Sequence, residues 1–212
     1  MKLAFMPKTP SKAAIALAPR KKPLQARAAA TVQAILQAAA HILETDGLAA
    51  CSTNAVALKA GVSIGSLYQY FPSRDAITKA LILEQTAALL EEVDAVDTSQ
   101  GGRVALQQLV GVAIAQQLNR PALARILDVE EQRLPIAPDL QSYAARLHMV
   151  MKGILAQPDM PPGAQQPEVA GDLLAIIRGM VDAAGGRGER KARLLEQLVQ
   201  RAVFGYLDNN QI

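Results

Sequence analysis

The sequence is poor in aromatic residues and in cysteine. Of its 212 residues 3% are aromatic, none is tryptophan, and Cys51 is the single cysteine. One cysteine excludes a disulfide within the chain and suits a reducing compartment, so we expect a cytoplasmic protein. Apolar runs are too short or too interrupted to cross a bilayer, so we expect no membrane partner.

Sequence signatures of catalytic and cofactor sites are also missing. We find no glycine-rich phosphate loop, nucleophile elbow, catalytic-triad spacing or metal-ligand cluster. His41 has no second ligand at metal spacing, which favours an ordinary packed or surface imidazole. We therefore expect a protein that is not an enzyme and uses no metal or other cofactor.

Acidic residues are absent from residues 1–43, which carry seven basic ones. The remaining residues hold 15 basic and 19 acidic groups, a net charge of −4. A basic front and an acidic rear suit a chain that meets a polyanion at one end. Residues 1–26 are rich in Ala, Pro and Lys and are predicted to be a flexible basic arm. That arm either contacts DNA phosphates or a minor groove, or is a solvated tail.

Alanine, leucine and glutamine are abundant, and no long alternation of β-branched residues occurs. This composition predicts an all-α fold of about nine helices. We expect a three-helix domain at residues 27–74 and a helical domain at residues 75–212.

The stretch Ser52–Phe71 reads STNAVALKAGVSIGSLYQYF and predicts two short helices joined by a tight turn. Ser52 and Ser63 are N-cap residues for the two helices, and Gly61 permits the positive φ angle of the turn. Leu67 and Phe71 lie four residues apart and are predicted to point inward.

The outer face of the second helix has no acid and carries Gly65, Ser66 and Gln69. In a helix-turn-helix, a second helix of this kind enters the major groove of DNA. There Gln69 has the groups to recognise adenine, Ser66 can bond to several base edges, and Ile64 can contact a thymine methyl group. Two amphipathic helices joined by glycine are also common in proteins that bind no DNA.

Residues 28–83 as a whole resemble the DNA-binding domain of the TetR family of transcriptional repressors. The resemblance is carried by an alanine-rich first helix ending near Gly47, an AGVS turn at residues 60–63 and the LYQYF segment at residues 67–71. Ser73 and Arg74 then open the fourth helix. The motifs occur in the family's order and spacing over about a quarter of the chain.

The resemblance implies two groups of DNA contacts. Phosphate contacts are implied for Ser52, Tyr68, Tyr70 and Arg74. Contacts to bases or nearby backbone are implied for Asn54, Ile64, Gly65, Ser66 and Gln69. Cys51 stands where family members often carry a hydroxyl residue, and its place beside a helix N-terminus leaves two alternatives, a redox-sensitive thiol or an inert small hydrophobe.

The last two predicted helices are apolar over a wide arc, which predicts burial against more than their own domain. Two such helices from each subunit can form a four-helix interface across a two-fold axis, where the family has its dimerisation helices. The residues expected in this homodimer interface are Leu173, Ile177, Met180, Leu195, Leu198, Val199 and Ala202.

The resemblance also implies a small-molecule cavity in the carboxy-terminal domain. Its expected polar or adaptable residues are Tyr143, His148, Met149 and Arg178. Arg178 interrupts an apolar run, and it either clamps a ligand carboxylate, pairs with Asp172 or Asp182, or faces solvent.

Together these features predict a dimeric DNA-binding transcriptional regulator, a repressor released from a palindromic operator by a small hydrophobic ligand. The alternatives are a helical small-molecule carrier or enzyme without specific DNA binding, and a nonspecific architectural DNA binder.

Overall fold

The computed structural model describes residues 26–209, and the predicted arm, except for Ala26, lies outside them. The predicted all-α fold is confirmed over this range, which forms nine α-helices and one short 3-10 helix, Pro162–Gln165. The α-helices are α1 Ala26–Asp46, α2 Thr53–Ala60, α3 Ile64–Tyr70, α4 Arg74–Asp94, α5 Gly102–Asn119, α6 Pro121–Arg133, α7 Ala137–Leu155, α8 Val169–Gly186 and α9 Ala192–Asn209.

The chain divides into two compact units, and the boundary between them lies between Leu81 and Ile82. We call the described residues 26–81 the head and residues 82–209 the body. The expected boundary between residues 74 and 75 lies two turns earlier on α4, the helix that supplies residues to both units. None of the helices within residues 26–209 is long and apolar enough to span a bilayer.

In the head, α1 packs on α2 and α2 packs on α3. The apolar residues that recur with the helical period along α1 predict its inner face, and all of them except the partly exposed Val32 are at most 5% exposed. Side chains from the first three helices and from Phe71 form the core of the head: Ile35, Leu36, Ala39, Ile42, Leu43, Val56, Leu67 and Phe71.

In the body, α5 is the central helix and contacts α6, α7, α8 and α9. Leu106, Val110 and Ile114 of this helix are buried in a cluster with side chains of α7, α8 and α9. The start of α5 is held from a distant loop, because Asp159 accepts hydrogen bonds from the backbone N–H groups of Gly102 (2.6 Å) and Arg103 (3.0 Å). These two bonds lower the pKa of Asp159, since they stabilise its charged form.

The sequence predicts a last helix from about Glu189 to Leu207, whereas in the structure it begins at Ala192. Gly188 has a positive φ of 71°. The Glu189 carboxylate accepts hydrogen bonds from the N–H groups of Arg190 and Lys191, both at 2.8 Å. These residues therefore form a capped turn before the helix, which is a common use of a local acidic side chain.

Candidate functional site

The helix pair α2 and α3 is set by three local features that the sequence predicts. Ser52 Oγ accepts a hydrogen bond from the N–H of Ala55 (3.2 Å), and Ser63 Oγ accepts one from the N–H of Ser66 (3.0 Å). Between them Gly61 ends α2 with φ 67° and ψ 30°. Because the left-handed region is costly for residues with a Cβ, glycine at this position fixes where the turn occurs.

The short helix α3 separates its apolar and polar residues. Leu67 has no exposed surface and Phe71, just beyond the helix, is 1% exposed. On the other side Gly65 and Gln69 are exposed and Ile64 keeps 39% of its surface. We call the surface made by Ile64, Gly65 and Gln69 the outer face of α3. No acidic residue occurs between residues 47 and 74, so this face lies in a segment whose only charges are positive.

Ser66 is only half exposed, and its hydroxyl lies 2.8 Å from that of Ser63. One hydrogen bond of the Ser66 hydroxyl is therefore made within the N-terminal turn of α3. A hydroxyl can take part in further bonds, so Ser66 keeps capacity for an external partner.

Tyr68 is positioned by a contact that the sequence does not predict. Its hydroxyl lies 3.1 Å from Thr53 Oγ1 at the start of α2, and the ring keeps 39% of its surface exposed. The bond joins two residues that are 15 positions apart. The signal that points to the Thr53–Tyr68 bond is the helix pair itself, because the first turn of α2 faces α3.

The other expected DNA contacts also lie at or near the surface of the head. Ser52 and Asn54 are exposed, and Tyr70 is half-buried. Arg74 opens α4 with 37% of its side chain exposed, and its Nη2 lies 3.6 Å from Asp75 Oδ1. An exposed ion pair of this length is weak, so the guanidinium can exchange this partner for a phosphate.

Cys51 is buried, with 1% of its surface exposed. Burial raises the pKa of its thiol, and the nearby positive charge of Arg74 offsets this only in part. A buried, protonated thiol is a poor nucleophile, which favours the inert alternative over a redox switch.

The body contains a cavity of about 300 Å³. Its walls are largely aliphatic and come from five helices, α4 to α8, with Leu89, Leu109, Leu127, Leu147, Leu174 and Ile177 among the lining residues. A cavity of this size and composition suits a small, mostly apolar ligand.

Two of the four residues expected at a ligand cavity, Tyr143 and Arg178, line it. The cavity-facing residues of α7 are Leu140, Tyr143, Ala144 and Leu147, which recur with the helical period. His148 and Met149 are not among the lining residues, and Met149, which lies on the opposite side of α7 from this stripe, is 61% exposed.

One end of the cavity is polar and charged. Gln117 Nε2 donates to Asp128 Oδ2 (3.1 Å), and Arg178 donates through Nη2 to Glu131 Oε1 (2.8 Å) and through Nε to Asp182 Oδ2 (3.4 Å). Of the alternatives for Arg178, pairing with Asp182 and exposure to solvent are both realised, since its side chain is 60% exposed, and it also bonds to Glu131 of another helix. Arg178 is consequently not a free clamp for a ligand carboxylate.

Burial is the main cause of a raised pKa at Asp128, and the charges of Asp182 and Glu131 raise it further. The Gln117 bond and Arg178 act in the opposite direction. In contrast, bonding to Glu131 raises the pKa of Arg178, because it stabilises the guanidinium ion. The cavity thus contains a permanent cation with two partners and a carboxyl group that resists ionisation. Within residues 26–209, no His, Cys, Asp and Glu side chains form a group that could hold a metal ion.

The seven residues expected in a dimer interface divide into two groups. Leu173, Ile177, Leu195 and Val199 are at most 3% exposed and belong to the body's own core, so they have no surface to offer a second copy. This corrects the expectation for these four residues, which a helical wheel cannot separate from outward-facing ones on a helix that is apolar over a wide arc. Leu198 is 43% exposed, and Met180 and Ala202 are partly exposed.

Comparison with known proteins identifies the head. Residues 35–81 match the family model of the bacterial regulatory proteins of the tetR family. The nucleoid occlusion factor SlmA of Vibrio vulnificus is 29% identical over 164 residues, which cover 72% of this chain and 81% of that protein. The HTH-type transcriptional regulator UidR of Escherichia coli K12 is 27% identical over 192 residues, covering 76% of this chain and 98% of UidR.

Solved structures share the fold over most of the chain. A bacterial regulatory protein of the tetR family from Rhodococcus RHA1 superposes with a TM-score of 0.68 at 16% identity, covering 84% of this chain and 96% of that one. The likeness shows the fold, and the match over residues 35–81 shows the DNA-binding domain. The head therefore carries the DNA-binding domain of the bacterial regulatory proteins of the tetR family, and the chain shares its fold with a solved member of that family.

Proposed function

We propose that the protein is a dimeric repressor that binds a palindromic operator and is released from it by a small, largely hydrophobic ligand. The observation that carries the proposal is the exposed, acid-free outer face of α3. The buried Leu67 and the Ser63 cap hold this face rigidly, so its polar groups are presented without a large ordering cost.

The chemistry of the outer face suits bases more than phosphates. Gln69 can form two hydrogen bonds to an adenine in the major groove, and Ile64 can contact a thymine methyl group. The nearest atom to a Cβ added at Gly65 is Ser63 Oγ at 3.9 Å, so the described part of the chain leaves room for a partner to approach the backbone closely. Ser52, Tyr68, Tyr70 and Arg74 would set the register through phosphate oxygens.

A second copy is needed because seven residues of helix contact few base pairs. Two α3 helices held about 34 Å apart, or a multiple of that distance, would contact successive major grooves on one side of a palindrome. The body offers apolar surface for the pairing, since Leu194 and Leu198 on α9 are 45% and 43% exposed. On α8 the exposed Gly171, Ala175, Gly179 and Ala183 recur every four residues, which allows close approach of another helix.

Release requires a ligand that prefers the conformation with low DNA affinity. The helix α4 begins with Arg74 and also supplies Gln85, Thr86 and Leu89 to the cavity lining. A shift of α4 on ligand binding would therefore act on a residue of the DNA contact. A coupling free energy of about 1 to 3 kcal/mol is typical and would change DNA affinity roughly 5- to 150-fold.

The proposal is tested by fluorescence anisotropy with labelled DNA from the region upstream of the protein's own gene and with a scrambled duplex. We expect the natural duplex to bind at least about 1000-fold more tightly at physiological salt. Equal affinities would indicate nonspecific binding and would contradict the proposal.

The dimer is tested with Leu198→Asp, with Val129→Asp as a matched control because Val129 is an exposed apolar residue of α6. A carboxylate in an apolar interface is costly, so the first variant should sediment as a monomer and lose operator binding, whereas the second should do neither. A wild-type protein that is a monomer at micromolar concentration would refute the dimeric mechanism.

A further inference from the structure

The charged groups at the polar end of the cavity are unequal in number. Three carboxyl groups, those of Asp128, Glu131 and Asp182, line the cavity with one guanidinium group, that of Arg178. No lysine or histidine is among the lining residues. When all three carboxyl groups are ionised, the cavity therefore carries two negative charges in excess.

The cavity keeps an excess of negative charge even when Asp128 is protonated. Burial raises the pKa of this carboxyl group, which favours its neutral form. With Asp128 neutral, Glu131 and Asp182 still outnumber Arg178 by one. The single cation is itself engaged by both remaining acids, at 2.8 Å and 3.4 Å.

The carboxyl groups are held in place by the surrounding helices. Gln117 is 6% exposed and bonds to Asp128 from α5, and its amide packs so closely on Gly185 of α8 that a Cβ there would lie 2.3 Å from Nε2. Glu131 on α6 is tied through Arg178 to α8. A charged ligand group would therefore meet an organised set of oxygen atoms beside an aliphatic chamber.

An anionic ligand is disfavoured in this arrangement. A ligand carboxylate would compete with Glu131 and Asp182 for Arg178 and would lie beside the negative charges of both acids. A positive group gains from the same electrostatics, and the ring of Tyr143 in the lining adds an aromatic surface of the kind that attracts cations.

We propose that the cavity binds a lipophilic cation, an amine or quaternary ammonium whose hydrocarbon part lies along the aliphatic walls and whose nitrogen lies beside Asp128, Glu131 and Asp182. This inference rests on the proposed function, because it specifies the ligand class of the site that would release the DNA.

The test uses three probes with the same alkyl chain and different head groups: octyltrimethylammonium, octanol and octanoate. Each is titrated by calorimetry into the full-length protein without DNA at neutral pH. We expect octyltrimethylammonium to bind at least about tenfold more tightly than octanol, and octanoate to bind most weakly. Octanoate binding as tightly as the ammonium probe, or no binding of the ammonium probe, would overturn the proposal.

Two isosteric variants locate the charge that selects the ligand. Asp128→Asn and Glu131→Gln should each weaken ammonium binding by about tenfold and leave octanol binding within about twofold. Glu131→Gln should also improve octanoate binding, because it removes one partner of Arg178. Glu92→Gln is the matched control, since Glu92 is an exposed acid of α4 outside the cavity lining. Unchanged ammonium affinity in both cavity variants would contradict the assignment.

DNA release is measured separately, so the two proposals fail in different ways. Ammonium binding with no change in operator affinity would refute release by ligand and leave the binding site standing. Operator binding that is intact while octanoate is the preferred probe would refute the ligand class and leave the repressor standing.

Discussion

In the head, the outer face of α3 comes from a few consecutive residues, Ile64 to Gln69, whereas the polar end of the cavity draws on α5, α6 and α8, between Gln117 and Asp182. The first surface is specified by two caps, one glycine and two buried side chains within 20 residues. The second needs the whole body to be folded. The difference teaches that the DNA-binding surface depends on local conformation and the cavity on long-range packing.

The largest expected effect comes from a substitution that leaves a cavity beneath the outer face of α3. Leu67 is fully buried, so Leu67→Ala should lower the free energy of unfolding by about 2 to 5 kcal/mol, measured by urea denaturation. It should also abolish operator binding, because the side chain supports α3 from below. Leu58→Ala is the control: Leu58 is 84% exposed, and its change should stay within about 0.5 kcal/mol. Equal effects of the two substitutions would show that the core of the head is misassigned.

Two glycine substitutions then compare a turn in the head with the interior of a helix in the body. Gly61 has φ 67° and no neighbour within 4 Å of an added Cβ, so Gly61→Ala should cost about 1 to 2 kcal/mol from backbone strain alone.

Gly111 lies inside α5, also with no neighbour within 4 Å, and Gly111→Ala should stabilise the protein by about 0.5 to 1 kcal/mol. Thermal unfolding should therefore show a lower melting temperature for Gly61→Ala and a higher one for Gly111→Ala. Two changes of the same sign would contradict the claim that the turn in the head requires glycine.

The smallest expected effect is the change in stability caused by the charge of Asp128 in the body. Because the pKa of Asp128 is raised in the folded protein, ionising it costs stability as pH rises above the pKa of the unfolded chain. Asp128→Asn should therefore be more stable than the wild type at neutral pH, and the difference should vanish as pH falls below about 4. Denaturation curves across this range test the sign. A variant that loses stability at neutral pH would show that the ionised carboxylate is stabilising.

Much of the head could be predicted from the sequence because its contacts are local. The caps at Ser52 and Ser63, the turn at Gly61 and the burial of Leu67 and Phe71 are all confirmed. The Thr53–Tyr68 bond was missed, since it depends on how α2 and α3 pack and not on either helix alone.

The body could be predicted only in outline. Helix number and approximate bounds follow from periodicity, but the partners of Arg178 do not, because Glu131 lies 47 residues away on another helix. For the same reason the sequence could not separate Leu173 and Val199, which are core residues, from Leu198, which is exposed. A broad apolar arc indicates burial without saying which neighbour provides it.

The most direct test of the central claim is the base preference of the wild type and of Gln69→Ala, measured by selection from a randomised duplex library at fixed salt. The wild type should select a palindrome. The variant should lose the preference for adenine at one position in each half-site, with a cost of about 1 to 3 kcal/mol, and keep the remainder of the palindrome. An unchanged preference at every position in the variant would contradict the assignment of the outer face of α3 to the major groove.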